Sequence, residues 1–502
     1  MKTAAIRAIA VADVRKACTV IDGSGVVPYI EDAIATSRHR SGRPRELSIR
    51  ALLVGLLLCS HHGSLHLADL RRLLNGLPAH AKKQLGISRT NAVTRRQVEG
   101  VFAVVTSTLE AQGVEGLDHF CDRILAVAQP ANPTSRSIAI DATSIESWGT
   151  RRRVAGVWTA TDPDARWRKK DKANPWKRPI FGYDLTLAVS VPEVDGAGVA
   201  LTATAMRFRP ALTAPVATAL EVATQAALLQ GGLGDVLVDR EYTKRLDGTD
   251  FLQPIRALGG DPVFDLMPNQ VGSSGTIKGA LIIDGAPFSP ATPPGLHIIA
   301  PPPVNATVQE LSSYQDAIER RARWAMDPHG RRRANGDQDF KCPAQTGKLR
   351  CPLVANSLAL MMDRPTAMNR PQDPAPGTVC AKKHTRFDAA EIPLAQRDLY
   401  GSRAWRGSYM RRSRVEGFFG VLKNEACENV KRGTIRVRGL FKTGLLVAMS
   451  VVSANLRLID SFASKPASPP KRRRGRPRKV GVEIFSPLAN GVVHANAPPL
   501  AS

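Results

Sequence analysis

The sequence predicts a mixed α/β protein with a helical N-terminal region, and three observations carry that expectation. Residues 1–134 place apolar side chains at helical spacing. Residues 135–270 alternate short Ile- and Val-rich runs with an Ala-rich helix, in the order strand, strand, strand, helix, strand, helix, strand. Helical periodicity returns only beyond residue 400, after a long stretch rich in Pro and Gly.

In the first region, 47–60, 65–74 and 98–111 read as helices. Basic residues such as Arg50, Arg71, Arg72, Lys82, Lys83, Arg95 and Arg96 are interleaved with them. A basic, all-helical region suits DNA binding. SIAIDATSI (137–145) alternates and is rich in Ile, so it reads as a strand, as do 181–191 and 199–208. The Ala-rich run 215–230 is a helix stopped by Gly231-Gly232. DVLVD (235–239) is a short strand of the buried kind, 252–258 is helical and 262–267 is another strand. Residues 271–400 are too long for a plain loop and read as an inserted subdomain. Helices are expected again at 410–430 and 440–458, within 401–463. The rest, 464–502, is rich in Pro, Ser, Ala and Arg/Lys and reads as a disordered basic tail.

Charge narrows the function. The chain has 502 residues, with 70 Lys+Arg against 44 Asp+Glu, a formal net charge of +26. The cations cluster, so a polyanion is the expected partner. The longest apolar runs, 51–59 and 444–452, fall far short of the ~20 residues of a membrane-spanning helix, so no membrane partner is expected. Seven cysteines are too few for a disulfide scaffold. A cytoplasmic protein working on nucleic acid is the expectation.

Three acids stand out by position. Asp141 lies mid-strand in SIAIDATSI, where a lone charge is costly to bury. Asp239 ends VLVD, at the strand end where open α/β sheets place ligands. Glu416 sits in a basic segment, YMRRSRVEGFFGVLK, among Arg411, Arg412, Arg414 and Lys423. Any one of them alone is more often a cap or a surface carboxylate. Together they form an oxygen-rich set suited to Mg²⁺ or Mn²⁺.

Tyr409, Arg412, Glu416 and Lys423 stand in the spacing Y-x2-R-x3-E-x6-K. In residue type and spacing this resembles the signature of DDE transposases of the insertion-sequence four superfamily. The acids of SIAIDATSI and VLVDREY look like that family's strand-borne aspartates, and the long gap from 239 to 416 resembles relatives with an inserted region. GRPRELSIRALL (42–53) looks like the N-terminal part of some of these transposases. The resemblance implies an RNase H-like mixed-sheet catalytic core, with Asp141, Asp239 and Glu416 as catalytic and metal-binding triad for two Mg²⁺ or Mn²⁺ ions. It implies that Tyr409, Arg412 and Lys423 contact phosphates of the element's end. It further implies double-stranded DNA partners (element ends and target), a homodimer in the DNA complex and a place at the nucleoid. One departure is visible: Arg240-Glu241-Tyr242 follows the second acid, where relatives often carry a glycine before the tyrosine, and Glu241 is a competing acid. A nuclease with the same triad, or an inactive transposase-derived DNA-binding protein, are the alternative readings.

Two further motifs remain. KRRRGRPRK (471–479) has the core Arg474, Gly475, Arg476 and Pro477 and resembles an AT-hook, a short extended segment suited to the narrow minor groove of A·T-rich DNA. Cys342, Cys351, Cys380 and His384 are four soft ligands that could close one structural Zn²⁺ site, although the C-x8-C spacing is looser than a common knuckle and free thiols are the simpler reading. If the tail reads the minor groove, Arg474→Ala with Arg476→Ala should weaken binding to A·T-rich duplex more than to G·C-rich duplex. Fluorescence anisotropy on the two duplexes checks this, and equal losses would leave a plain phosphate binder.

Overall fold

The computed structural model describes residues 9–37, 45–88, 90–132, 135–155, 157–168, 179–194, 196, 198–244, 248–303, 305–333 and 335–464. The AT-hook-like core at 474–477 lies outside them. The protein is mixed α/β, with both antiparallel and parallel strand pairing. The chain divides into two compact units. One comprises Met1–Gly232 and Arg412–Lys465, and the other includes Leu233–Arg411.

In the first unit, the helices of residues 11–127 share their core with strands. The expected helices appear as Ile49–His61, Leu67–Gly76 and Arg95–Ala111. Ser48 caps the first through its side chain, and Thr94 and Gln97 close a reciprocal capping box on the third. Val11–Ser24, Val26–Ser37, Ala79–Gln84 and Gly113–Val127 are additional helices. Ile49–His61 is buried all round from Ala51 to Ser60, which explains its unbroken Leu-rich run. It packs on Leu440–Ala463, where Ser60 Oγ donates to Ser450 Oγ at 3.0 Å. Leu440–Ala463 is long and apolar enough to cross a membrane by length and composition, yet most of its apolar window is buried inside the protein. Its Asn455 is fully buried and satisfied, donating to Ala128 O at 3.0 Å and Ala203 O at 2.9 Å and accepting from Ala203 N at 2.8 Å.

The sheet of this unit is antiparallel. Ile180–Ser190 pairs with Ile138–Glu146, with Ala203–Pro210 and, at its start, with Arg166–Arg168. Arg207 and Arg209 on Ala203–Pro210 are held by Asp118 and Asp122 of Gly113–Val127, with Asp118 at 2.6 Å from Arg209 and Asp122 at 2.7 Å from Arg207. These pairs lock strand to helix, because breaking one leaves a buried charge unbalanced.

The second unit opens with Asp235–Val238, which pairs in parallel with Asp261–Phe264 in the register Asp235 to Asp261, with the helix Leu252–Ala257 between them. The inserted residues are more regular than their composition suggests. Ser273–Ile277, Ala280–Ile283 and Ala286–Phe288 form a meander, Val308–Ala322 is a helix, and Asp327–His329, Gln338–Lys341 and Thr385–Phe387 form a second small sheet. The meander turns on Lys278-Gly279 and Asp284-Gly285, all four at positive φ, the backbone that a two-residue hairpin of this kind requires.

The helix expected at 410–430 is shorter and interrupted. Arg403–Tyr409 is followed by a 3-10 turn at Met410–Arg412, and the α-helix proper runs Ser413–Lys423. It stops because Asn424 leaves helical backbone at ψ 131 and its side chain accepts from Ala426 N at 2.8 Å. The turn is held by Arg411. Its guanidinium donates to Asp235, as do Arg397 at 2.6 Å and 3.1 Å and Ser408 Oγ at 3.1 Å. Burial alone would raise the Asp235 carboxyl, but hydrogen bonds and charge from Arg397 and Arg411 outweigh it and hold the group below its usual value. A depressed folded value means that this contribution is present above the unfolded value and lost as pH falls through the folded one. Asp235→Ala should therefore destabilise the protein by about 3–5 kcal/mol at pH 7, leaving two arginines without their carboxylate, and by less below pH 4. Urea unfolding at the two pH values measures the difference.

Candidate active site

The strand Ile138–Glu146 puts alternate side chains on one face. Asp141 and Thr143 therefore share a face, at the part of the strand that is half-buried. The helix Ser413–Lys423 packs through Val415, Phe418, Phe419 and Leu422, all buried. That packing leaves Glu416 and Lys423, seven residues apart and hence two turns along the helix, on a common face with Arg412 at its start. Arg412 Nη1 donates to Asp141 Oδ2 at 3.3 Å, and Nη2 donates to Glu416 Oε1 at 3.1 Å. Lys423 Nζ donates to Thr143 Oγ1. One guanidinium thus spans two carboxylates, and their bonded oxygens lie within roughly 9 Å of each other.

Burial is unequal across this group. The Arg412 side chain is 10% exposed, whereas Asp141 is 26% and Glu416 36%. The cation is the most buried of the three, and both acids are partly exposed. Two carboxylates this close repel unless a cation lies between them.

In the second unit, Asp239 follows Asp235–Val238 and caps the 3-10 turn Arg240–Thr243, its Oδ1 accepting from Arg240 N at 2.7 Å. The turn forms without a glycine before Tyr242, which is buried with its ring 5.4 Å from that of Phe251. Glu241, the competing acid, pairs with Lys244 at 2.6 Å on the surface. Tyr409 is buried, and its ring stacks on Trp405 at 5.0 Å and 9°.

Sequence reasoning passed over Asp265. It follows Asp261–Phe264 as Asp239 follows Asp235–Val238, so the repeated pattern of an apolar strand ending in Asp was the available signal. Asp265 is buried and accepts from the Tyr400 hydroxyl at 2.7 Å, with Arg240 at 4.0 Å. Burial pushes its carboxyl up to about 7, and the Asp239 charge adds to the rise. Asp162, at the foot of a hairpin in the first unit, was also passed over.

The structure thus brings Asp141, Arg412, Glu416 and Lys423 together in one unit, and places Asp239 and Tyr409 in the other. Cys351 is buried in an apolar cluster with Trp324 and Leu349, against which Cys342 packs. Cys380 packs against a neighbouring cluster that includes Phe340 and Phe387. Burial pushes the Cys380 thiol up to about 11, with Cys342 and Cys351 adding to the rise. The His384 ring lies 5.5 Å from that of His329. Among the described residues, no group of three or more His, Cys, Asp or Glu stands where it could hold a metal ion.

Compared with known proteins, the chain matches no family model and no curated protein.

Arg412→Gln would leave the Asp141 and Glu416 carboxylates facing each other without their cation. The variant should lose about 1–2 kcal/mol at low salt and less at about 1 M salt, where repulsion between half-exposed carboxylates is screened. Thermal unfolding at the two salt concentrations decides, since an equal loss at both would assign Arg412 to packing rather than charge.

Proposed function

We propose that the chain is a DNA transposase of an insertion sequence, built on an RNase H-like core. The observation that carries the reading is the Arg412 fork between Asp141 and Glu416, with Lys423 on the same face. The succession of three antiparallel strands, a helix and two parallel strands separated by a helix supports it.

In this reading Asp141, Asp239 and Glu416 supply the carboxylates for two Mg²⁺ or Mn²⁺ ions. Such a pair, when bound, provides positive charge at the attacking and leaving oxygens of a phosphodiester. The donor chemistry fits, since all three candidates are hard oxygen ligands and two of them already share one counter-ion. Arg412 and Lys423 hold the phosphate and offset charge that grows on its oxygens during displacement. A water oxygen forms the new bond to phosphorus while the bond from phosphorus to the departing 3′ oxygen breaks. The water's proton passes to solvent, and the departing oxygen takes a proton to become a 3′-OH. That 3′-OH then attacks a target phosphodiester in the same way, displacing the target's own 3′ oxygen. No covalent protein–DNA bond is required. Residues 1–134, including the exposed Arg71, Arg72, Arg95 and Arg96, would bind the terminal repeats, and a homodimer would pair the two ends.

The test is Asp239→Ala on duplexes carrying the sequences that flank the gene. DNA affinity comes mainly from Lys and Arg contacts with phosphates, so binding should persist or tighten slightly. Nicking in Mg²⁺ or Mn²⁺ should fall by at least about a thousandfold. If neither wild type nor variant nicks while both bind, the chain is a DNA-binding protein without this activity. If wild type nicks but never joins ends to target, it is a nuclease.

A further inference from the structure

The residues that follow the Asp141 strand form an element that the proposed chemistry does not use. Arg151–Val154 and Val157–Ala160 make a two-stranded antiparallel ribbon, in the register Arg151 to Ala160, Arg152 to Thr159, Arg153 to Trp158 and Val154 to Val157. Among the described residues its strands pair only with each other. A lone two-stranded ribbon is marginal in water, so its footing matters.

That footing is strong. Thr161 N donates to Thr150 O at 3.1 Å, and Thr150 N donates to Thr161 Oγ1 at 2.7 Å, closing the base. Next to it Asp162 is fully buried. It accepts from the Ser147 hydroxyl, from the Tyr183 hydroxyl at 2.8 Å on both oxygens, and from Gly439 N at 3.2 Å. Asp164 accepts from Leu440 N at 2.7 Å and so caps the core helix Leu440–Ala463. The base of the ribbon is pinned to the Ile180–Ser190 strand and to the helix that holds the unit's core.

The charge of this segment is one-sided. Residues 151–178 hold ten Lys+Arg and three Asp. Two of those acids, Asp162 and Asp164, are engaged in the footing just described. Beside the ribbon, Arg166 and Trp167 are exposed on the short strand Arg166–Arg168.

We propose that the ribbon Arg151–Ala160 is an arm that docks on duplex DNA beside the Asp141–Glu416 site. The inference rests on the transposase reading for its position next to a cut, and on the ribbon's own charge and shape for its partner. Three consecutive arginines suit a phosphate backbone. A two-stranded ribbon is also an element that the major groove, about 12 Å wide, admits. Chain length bounds the geometry: Arg151 is ten residues from Asp141, so at most about 33 Å separates them. That is close to one turn of duplex, and the arm would therefore meet phosphates within about ten base pairs of the scissile one.

The test uses the full chain with Arg151→Ala, Arg152→Ala and Arg153→Ala combined, and a second variant with Lys at all three positions. Affinity for an element-end duplex is measured across salt concentrations, with hydroxyl-radical footprinting and nicking on the same duplex. The alanine variant should flatten the logarithmic salt slope by about 2–3, and should lose protection within about ten base pairs of the cut. The lysine variant should keep both, and all three proteins should melt at the same temperature. An unchanged slope and footprint in the alanine variant would overturn the arm even where wild type nicks normally. Loss in the lysine variant equal to that in the alanine variant would overturn a phosphate-contact arm. If wild type never nicks but the slope still flattens, the arm stands as a DNA contact and the transposase reading falls. Loss of binding to anionic phospholipid vesicles, with DNA binding unchanged, would overturn the arm in favour of a membrane contact.

Discussion

The arrangement turns on one guanidinium. Arg412 is nearly buried, and it spans Asp141 on a strand and Glu416 on the following helix. The two acids belong to elements far apart in sequence, and each alone would be an ordinary half-exposed carboxylate. With Arg412 between them they become a fixed pair facing solvent. The spacing of the segment makes this possible. Arg412 and Glu416 are four residues apart at the start of a helix, so a single side chain can reach both its own helix and the strand beneath it. Lys423, two turns beyond Glu416, reaches Thr143, two residues beyond Asp141. Strand period and helix period are matched along one face, and a shift of either element by one residue would break both contacts.

Buried carboxylates elsewhere set registers in the same manner. Asp235 gathers Arg397, Ser408 and Arg411 around the start of the strand that ends in Asp239. Asp162 gathers Ser147, Tyr183 and Gly439 where the Asp141 strand gives way to the ribbon. Exchanging such a group for an apolar one of equal volume need not cost stability, but removing it alone strands its partners. Each fixes where a chemically relevant strand begins or ends, so the geometry at the acids is inherited from ion pairs several residues away. Asp265 shows the opposite balance. It is buried, and the Tyr400 hydroxyl, the Leu266 backbone and an arginine at 4.0 Å do not offset the cost of burial, so its affinity for a proton rises.

Much of this was legible in the sequence where period and punctuation agree. The alternation of SIAIDATSI, the Ala-rich run closed by Gly231-Gly232, and the four-residue run ending in Asp239 correspond to Ile138–Glu146, Pro215–Gln230 and Asp235–Val238. Of the candidate site, the stripe from Arg412 to Glu416 to Lys423 was legible in its helical spacing, whereas the grouping of Asp141 with it rested on the resemblance and not on any local pattern. What was not legible had local signals that weak hydrophobicity obscured. The Asp284-Gly285 pair is a strong hairpin signal, but the strands it joins are only three and four residues long and lie among prolines. The break at Met410–Arg412 depends on Arg411 reaching Asp235, a contact between residues 176 apart that no window reveals. The end of the helix at Lys423 was marked by Asn424, a residue that competes for backbone hydrogen bonds, within an otherwise helical pattern.

Charge distribution links the architecture to the proposed DNA substrate. A site made of carboxylates repels a phosphate backbone, and half-exposed acids such as Asp141 and Glu416 screen only part of that repulsion in water. The chain answers at two ranges. Near the acids, Arg412 and Lys423 cancel their charge locally and remain positioned to meet a phosphate. Elsewhere in the sequence, residues 1–134, 151–178 and 464–502 carry net charges of +6, +7 and +7, and residues 401–463 carry +8. Long-range attraction can then bring a polyanion up to a surface whose centre is acidic, and the close cations hold it there. The acids need no neutralisation beforehand, because the free energy of approach is supplied by contacts elsewhere on the molecule. An acidic centre inside a basic protein is thus the charge pattern expected where DNA must be held by many phosphates and altered at one.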